Sequence, residues 1–267
     1  MGRPRAAWLE APPLVARAYG GFDWELAYEY PQHSAVYRLS RAGVTQLFLK
    51  LAPTDHYPTL VGEADRMRWA RSYLPVPEVV DQGSEGSVAW LATSPVPGQD
   101  GSHPEQLGRG ADLVRSLARG LSQFHENAPV AACPFDFRLD AALEHVRTRV
   151  RSGQVDRGRD FHPEFEHLTP EEALAILEST RPESEDLVVC HGDYCVPNVL
   201  IEGGRVTGYV DLGELGVADR WWDLAVATWS LTWNLGPSFE ELFLAHYGAD
   251  VDAQRTEFYR LMYDLVC

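Results

Sequence analysis

A two-part α+β fold, with a small β-rich N-terminal lobe and a larger, mainly α-helical C-terminal lobe, is what the order of patterns along the chain predicts. Three observations carry it. Apolar runs with strand character crowd the chain as far as Thr93, Ser94-Pro95-Val96-Pro97-Gly98 interrupts regular structure, and most periodic segments beyond it repeat at helical spacing. The lobes are expected at residues 1–96 and 97–267.

The first lobe reads as strands from Trp24 to Glu29, Ser34 to Leu39 and Gln46 to Leu51, the last two separated by the turn-like Ser40-Arg41-Ala42-Gly43. Gly62 to Tyr73 places Ala64, Met67 and Ala70 on one helical face, and Pro75 and Pro77 end it. Val79-Val80 and Ser87 to Thr93 read as a further strand pair around Gly83 to Gly86. Past the proline break, Ala111 to Glu126, Leu139 to Val150 and Pro170 to Glu178 read as helices, with Asp156 to His167 as an acidic surface loop. The last helices are expected at Trp222 to Thr232, Ser238 to Tyr247 and Ala253 to Leu265.

Composition excludes several classes. Hydrophobic residues at 45% and charged residues at 23% are a globular mixture rather than a disordered one. No run approaches the roughly 18 apolar residues of a membrane span, so a cytoplasmic protein without membrane contact is expected. With 39 acids against 23 bases the net charge is -16, which disfavours nucleic acid and suits a cationic small ligand or simply a soluble surface. Cys133, Cys190, Cys195 and Cys267 are too few and too uneven for a disulfide framework. Cys190 and Cys195 flank a histidine, but no second pair with zinc-finger spacing accompanies them, so buried or incidental thiols are expected. Of the bases only Lys50 is a lysine. Where arginine serves almost everywhere else, a single retained lysine points to a tight phosphate site that a planar guanidinium cannot replace.

The segment richest in chemistry runs Leu187-Val-Val-Cys-His191-Gly-Asp193-Tyr-Cys-Val-Pro-Asn198-Val-Leu-Ile201, then Gly203-Gly204, then Val206-Thr-Gly-Tyr-Val-Asp211-Leu-Gly213. Strand-like runs flank the first loop and a Gly-Gly turn makes a hairpin after it. Such an arrangement would gather Asp193, Asn198 and Asp211, two carboxylates and an amide oxygen. Phosphoryl transfer needs that set, with a carboxylate for the attacking hydroxyl and oxygen ligands for Mg²⁺.

The pattern H-G-D-x-x-x-x-N, followed 13 residues later by D-L-G, resembles the catalytic loop and metal motif of the aminoglycoside phosphotransferases, relatives of the protein kinases. Gly62-Glu63-Ala64-Asp65-Arg66, Cys133-Pro134-Phe135-Asp136, Glu185-Asp186 and Gly216-Val-Ala-Asp219-Arg220-Trp-Trp-Asp223 are similar to segments of the 3'-phosphotransferases, the kanamycin and neomycin kinases. The resemblance implies a protein-kinase-like bilobal fold with nucleotide between the lobes. It implies Asp193 as the catalytic carboxylate, Asn198 and Asp211 as Mg²⁺ ligands, Lys50 as the phosphate-binding lysine and Glu63 as the carboxylate that fixes it. His191 and Asp223 look like supports of the loop. ATP or GTP with Mg²⁺ would be the cofactors, the 3'-hydroxyl of an aminoglycoside the acceptor, antibiotic resistance the outcome, and a monomer or weak homodimer the assembly.

The chain departs from the family pattern in four places. Tyr30-Pro-Gln-His33-Ser34-Ala35-Val36, at the nucleotide loop, has no glycine, so Ser34 and its neighbours are expected at the phosphates. At the hinge, near Ser94, Pro95 has no N–H, and Val96 becomes the expected donor to the adenine edge. Glu214 follows D-L-G where the family has arginine. Near the C-terminus Tyr263 replaces one member of an acidic pair, Asp264 keeps the other, and Val266 replaces a phenylalanine. Asp160, Glu164 and Glu166 of the acidic loop, with Glu214 and Asp264, are the candidates for ammonium groups of the acceptor. The alternatives are a same-fold kinase of streptomycin, a peptide antibiotic or a metabolite, and a non-catalytic nucleotide-binding protein.

Overall fold

The computed structural model describes residues 9–30 and 33–266. Pro31 and Gln32 of the expected nucleotide loop, and Cys267, lie outside the described residues. The chain divides into two compact units, one ending at Pro97 and the other beginning at Gly98.

In the first unit β1 (Asp23–Tyr30), β2 (Ser34–Arg41), β3 (Val44–Pro53), β4 (Val79–Glu85) and β5 (Val88–Thr93) form an antiparallel sheet ordered β1-β2-β3-β5-β4, with α1 (Pro13–Ala18) and α2 (Leu60–Ala70) beside it. Strand alternation sorts the side chains. Tyr37, Leu49 and Ala92 lie opposite one another across the strands, as do Ala35, Leu51 and Trp90, and with Val15 and Tyr19 they make one buried cluster. Truncating Leu51, which is fully buried there, would cost about 2–5 kcal/mol. Lys50 and its partners Val36 and Leu91 fall on the other face. α2 serves that face, burying Leu60, Glu63, Ala64, Met67 and Ala70, and its N-cap Thr59 accepts the Gly62 N–H at 3.1 Å.

β4 runs through the glycine expected to begin a turn. A Cβ on Gly83 would lie 2.4 Å from the indole of Trp90, its cross-strand partner, so this glycine makes room for a ring and the turn begins later, at Gly86.

The second unit contains β6 (Gln99–Asp100), β7 (Leu187–Cys190), β8 (Val199–Glu202), β9 (Arg205–Tyr209) and β10 (Gly216–Asp219). They form a three-stranded sheet ordered β6-β8-β9 and a β7–β10 antiparallel ribbon. Its helices are α3 (Pro104–Leu107), α4 (Gly110–Asn127), α5 (Leu139–Arg151), α6 (Arg157–Asp160), α7 (Pro170–Ser179), α8 (Trp221–Leu235), α9 (Glu240–Tyr247) and α10 (Ala253–Val266). α8 is buried all round from Trp221 to Leu231 and forms the axis of the unit's core, with α10 and α9 against it.

The stretch expected as a surface loop is more structured than its polarity suggests. Asp156 caps α6 by accepting the Gly158 N–H at 2.9 Å, and Phe161 and Phe165 are buried. A single helical turn is too short to declare a period. Among the described residues no helix is long and apolar enough to cross a membrane.

Candidate active site

The loop that leaves β7 and enters β8 is held from beneath by α8. Asp223, fully buried, accepts the backbone N–H of His191 at 2.7 Å and of Gly192 at 2.9 Å, and the Nε2 of His125 lies 2.9 Å from the same carboxylate. The hydroxyl of Tyr247 then serves the other ring nitrogen of His125, at 2.8 Å. Trp222 donates its indole N–H to the Gly192 carbonyl at 2.7 Å, and Ser230 accepts the Val196 N–H at 2.9 Å. A buried carboxylate with this many donors is satisfied, as burial requires. His125, Cys190 and Asp223 do place donor atoms within 4.8 Å of one another. The hydrogen bonds around Asp223 account for that grouping without an ion, and burial pushes the Cys190 thiol well up, away from a metal-binding thiolate.

Gly192 has φ +91°, and a Cβ there would lie 2.5 Å from both Cβ and the carbonyl oxygen of Glu214. The glycine of H-G-D is therefore a requirement of close packing between the loop and the D-L-G segment. On the other side, His191 accepts the Asp193 N–H at Nδ1 (3.3 Å) and meets the Val210 carbonyl at Nε2 (3.1 Å). The β8–β9 hairpin brings Val210 N–H onto the Asn198 carbonyl at 3.0 Å, and Asp211 follows with φ +62°.

Asp193, Asn198 and Asp211 consequently come together. Asn198 donates its amide to the Asp193 carboxylate at 2.7 Å and to its carbonyl at 3.1 Å, so its own oxygen is the atom that can meet a cation. Tyr263 donates its hydroxyl to Asp193 Oδ1 at 3.0 Å. Burial, and then the charge of Asp211, hold the Asp193 carboxyl above its ordinary value. Two carboxylates near enough for their charges to repel, with an amide oxygen beside them, fit a hard divalent cation, which would offset the excess negative charge.

In the N-terminal unit Lys50 Nζ lies 2.9 Å from Glu63 Oε2, with side chains 14% and 4% exposed. Ser34 is buried where β2 begins. Ser94 exchanges both its N–H and its hydroxyl with the backbone of Glu78, at 2.9 Å each, which fixes the end of β5. The Val96 N–H takes no partner among the described residues.

A family model described as the phosphotransferase enzyme family matches residues 31–259. The chain belongs to that family. Aminoglycoside 3'-phosphotransferases of Streptomyces fradiae and Streptomyces ribosidificus are 40% and 42% identical to it, each match covering 93% of this chain and 97% of the relative. The crystal structure of an aminoglycoside-3'-phosphotransferase of type VIII superposes with a TM-score of 0.82 at 36% identity, over 93% of this chain and 95% of that one. An aminoglycoside phosphotransferase of Streptomyces rimosus gives 0.80 at 30% identity, over 95% and 96%. The protein-kinase-like fold expected from the motifs is thereby shown.

Within this phosphotransferase the five acids expected at the acceptor divide. Glu164 and Glu166 are exposed, and Glu164 lines an open cavity of about 580 Å³ with Glu240, Glu241, Glu257 and Arg260. Asp160 has a side chain only 4% exposed and pairs with Arg149 at 3.4 Å and Arg159 at 2.6 Å. Glu214 is buried behind Gly192. Asp264 is buried too, accepting the His162 N–H at 2.8 Å and meeting His162 Nδ1 at 2.5 Å. These three are held inside the protein, an environment that the sequence does not announce.

Sequence reasoning missed Tyr263 as a contact of Asp193, treating it as a lost carboxylate. It also passed over Cys195, whose thiol helps to hold the Asp193 pKa down against burial, and His162, stacked on the half-exposed Trp233 at 4.6 Å. Cys195 lies two residues from Asp193 and could have been suspected from spacing alone.

Proposed function

We propose that this phosphotransferase transfers the γ-phosphoryl group of a nucleoside triphosphate, ATP or GTP, to the 3'-hydroxyl of an aminoglycoside. The observation that carries the reading is the gathering of Asp193, Asn198 and Asp211 on a loop fixed by α8, in a chain 40% identical to a named aminoglycoside 3'-phosphotransferase. The S. rimosus enzyme solved in complex with ADP and streptomycin supports the nucleotide and the acceptor class. Cytoplasmic placement follows from the need for a nucleoside triphosphate.

In this reading Asp193 accepts a hydrogen bond from the acceptor hydroxyl, aligns its oxygen for attack and takes its proton as the new P–O bond forms and the bridging P–O bond breaks, the nucleoside diphosphate leaving with that electron pair. Lys50, oriented by Glu63, places its ammonium on the phosphates, and Val96 offers its N–H to the base. Asn198 and Asp211 would hold Mg²⁺, which neutralises charge on the phosphate oxygens. Positioning and charge complementarity supply the catalysis. Glu164 and Glu166 are the exposed acids open to acceptor ammonium groups.

The test is nucleoside-diphosphate release against a panel of aminoglycosides, with streptomycin and a no-acceptor control, followed by phosphorus NMR of the product. Acceptors with a 3'-hydroxyl should stimulate release and those lacking it should not. Release no faster with any aminoglycoside than without would sink the reading. A streptomycin kinase is the second reading, favoured by 34% identity to the streptomycin 3''-kinase of Streptomyces griseus over 90% of both chains. The same panel separates the two.

A further inference from the structure

We propose that Tyr263 determines specificity against water: its phenol occupies Asp193 until a polyhydroxylated acceptor displaces it, so that nucleotide turns over only when an acceptor is present. This rests on the reading of Asp193 as the group that meets the acceptor hydroxyl. An ionised carboxylate offers about four lone-pair directions. Asn198 takes one on Oδ2 at 2.7 Å and Tyr263 takes one on Oδ1 at 3.0 Å. A hydroxyl poised to lose its proton must lie roughly 2.6–3.2 Å from the carboxylate. The phenol already stands at that distance on Oδ1, so an acceptor hydroxyl that uses this oxygen has to displace it.

Replacing the phenol by a single water exchanges one hydrogen bond for another and also has to move a side chain anchored on α10, so the exchange is unfavourable for water alone. An acceptor with several rings and ammonium groups has binding energy elsewhere to drive the exchange. The neighbouring turn offers a handle for it. Asp264, next to Tyr263 on α10, is bonded to His162, and His162 stacks within 9° of parallel on Trp233, whose indole is 47% exposed. A sugar ring contacting that indole presses on the element that carries the phenol.

The reaction held back is hydrolysis. Water oxygen bonds to the γ-phosphorus, the bridging P–O bond breaks, the nucleoside diphosphate leaves with that electron pair, and the water proton passes to Asp193 and on to solvent.

Tyr263→Phe keeps the ring and removes the hydroxyl. Acceptor-free nucleoside-diphosphate release should rise roughly 10-fold, the scale of one hydrogen bond to a charged group. Acceptor KM should fall, because nothing has to be displaced, and the ratio of transfer to hydrolysis should drop at least about 10-fold. Tyr263→Met, which lacks ring and hydroxyl, provides a second reading if the first variant packs badly, and thermal unfolding checks both. Unchanged hydrolysis, or hydrolysis and transfer falling in parallel, would show the phenol to be a support of Asp193 only and overturn the proposal. If no aminoglycoside stimulates the wild-type protein, the acceptor assignment fails separately, while acceptor-free release still decides the role of Tyr263.

Discussion

His191 and Val210 share a 3.1 Å contact between an imidazole Nε2 and a backbone carbonyl, and through it the loop bearing Asp193 is tied to the residue before Asp211. The other ring nitrogen accepts the Asp193 N–H at 3.3 Å. One fully buried side chain thus fixes both carboxylates. His191→Phe fills the volume without either bond. It should lower turnover by roughly 10-fold or more, from a misplaced carboxylate, and stability by about 1–3 kcal/mol, the cost of buried polar groups left unpaired. Steady-state kinetics and denaturant titration measure the two separately, and unaltered kinetics would remove His191 from the positioning of the site.

The sole lysine provides a chemical test of the nucleotide site. An amine-selective reagent should label Lys50 and the N-terminus alone, slowly at Lys50 because its side chain is 14% exposed and paired with Glu63. Saturating Mg-nucleotide should shield Lys50 and leave the N-terminus unaffected. Peptide mapping that finds Lys50 labelled equally with and without nucleotide would take it out of the phosphate site.

Asp193 carries a charge that the folded state disfavours, since burial and Asp211 raise its folded pKa above the unfolded value near 3.8. The sign follows. Above the folded pKa the ionised group destabilises the fold, the penalty shrinks as pH falls through that value, and it vanishes below the unfolded one. Asp193→Asn, which keeps an acceptor for one donor, should therefore unfold at a higher temperature than wild type at neutral pH without metal or nucleotide. The advantage should fade on acidification, while turnover falls by roughly 10² or more. A lower melting temperature at neutral pH would contradict the assignment of strain to this carboxylate.

Gly192→Ala introduces a Cβ at φ +91° and 2.5 Å from Glu214. Backbone strain of about 1–3 kcal/mol adds to a clash with main chain that cannot swing aside. A melting temperature lower by about 5–10 °C is expected for a chain of this size. A change under about 2 °C would mean that the loop and the D-L-G segment part easily.

The gathering of Asp193, Asn198 and Asp211 was legible because its spacing is local: a strand, a loop, a hairpin and a turn fix where the three can go. The sheet of the first unit was legible from alternation, and the pairing of Lys50 with Glu63 from the motif that each belongs to. The burial of Asp160, Glu214 and Asp264, three of the acids expected at the acceptor, was not legible, because a carboxylate is solvated until tertiary structure brings a partner. Arg149 reaches Asp160 from another helix, and His162 reaches Asp264 across 102 residues of sequence. β10 and its buried Asp219, bonded to Arg255, escaped for a related reason. Four residues cannot display a period, and the pairing with β7 exists only after folding.

Three side chains of α8 grip the loop between β7 and β8: Trp222 at the Gly192 carbonyl, Asp223 at two amides and Ser230 at the Val196 amide. Since that helix is buried along most of its length, these bonds open only when the core of the unit opens. The amide protons of His191, Gly192 and Val196 should then exchange with solvent deuterium on the slow timescale of core unfolding, among the last in the chain, although they lie in a loop. The loop belongs dynamically to the helix beneath it, and its order is established once, during folding, before any substrate arrives.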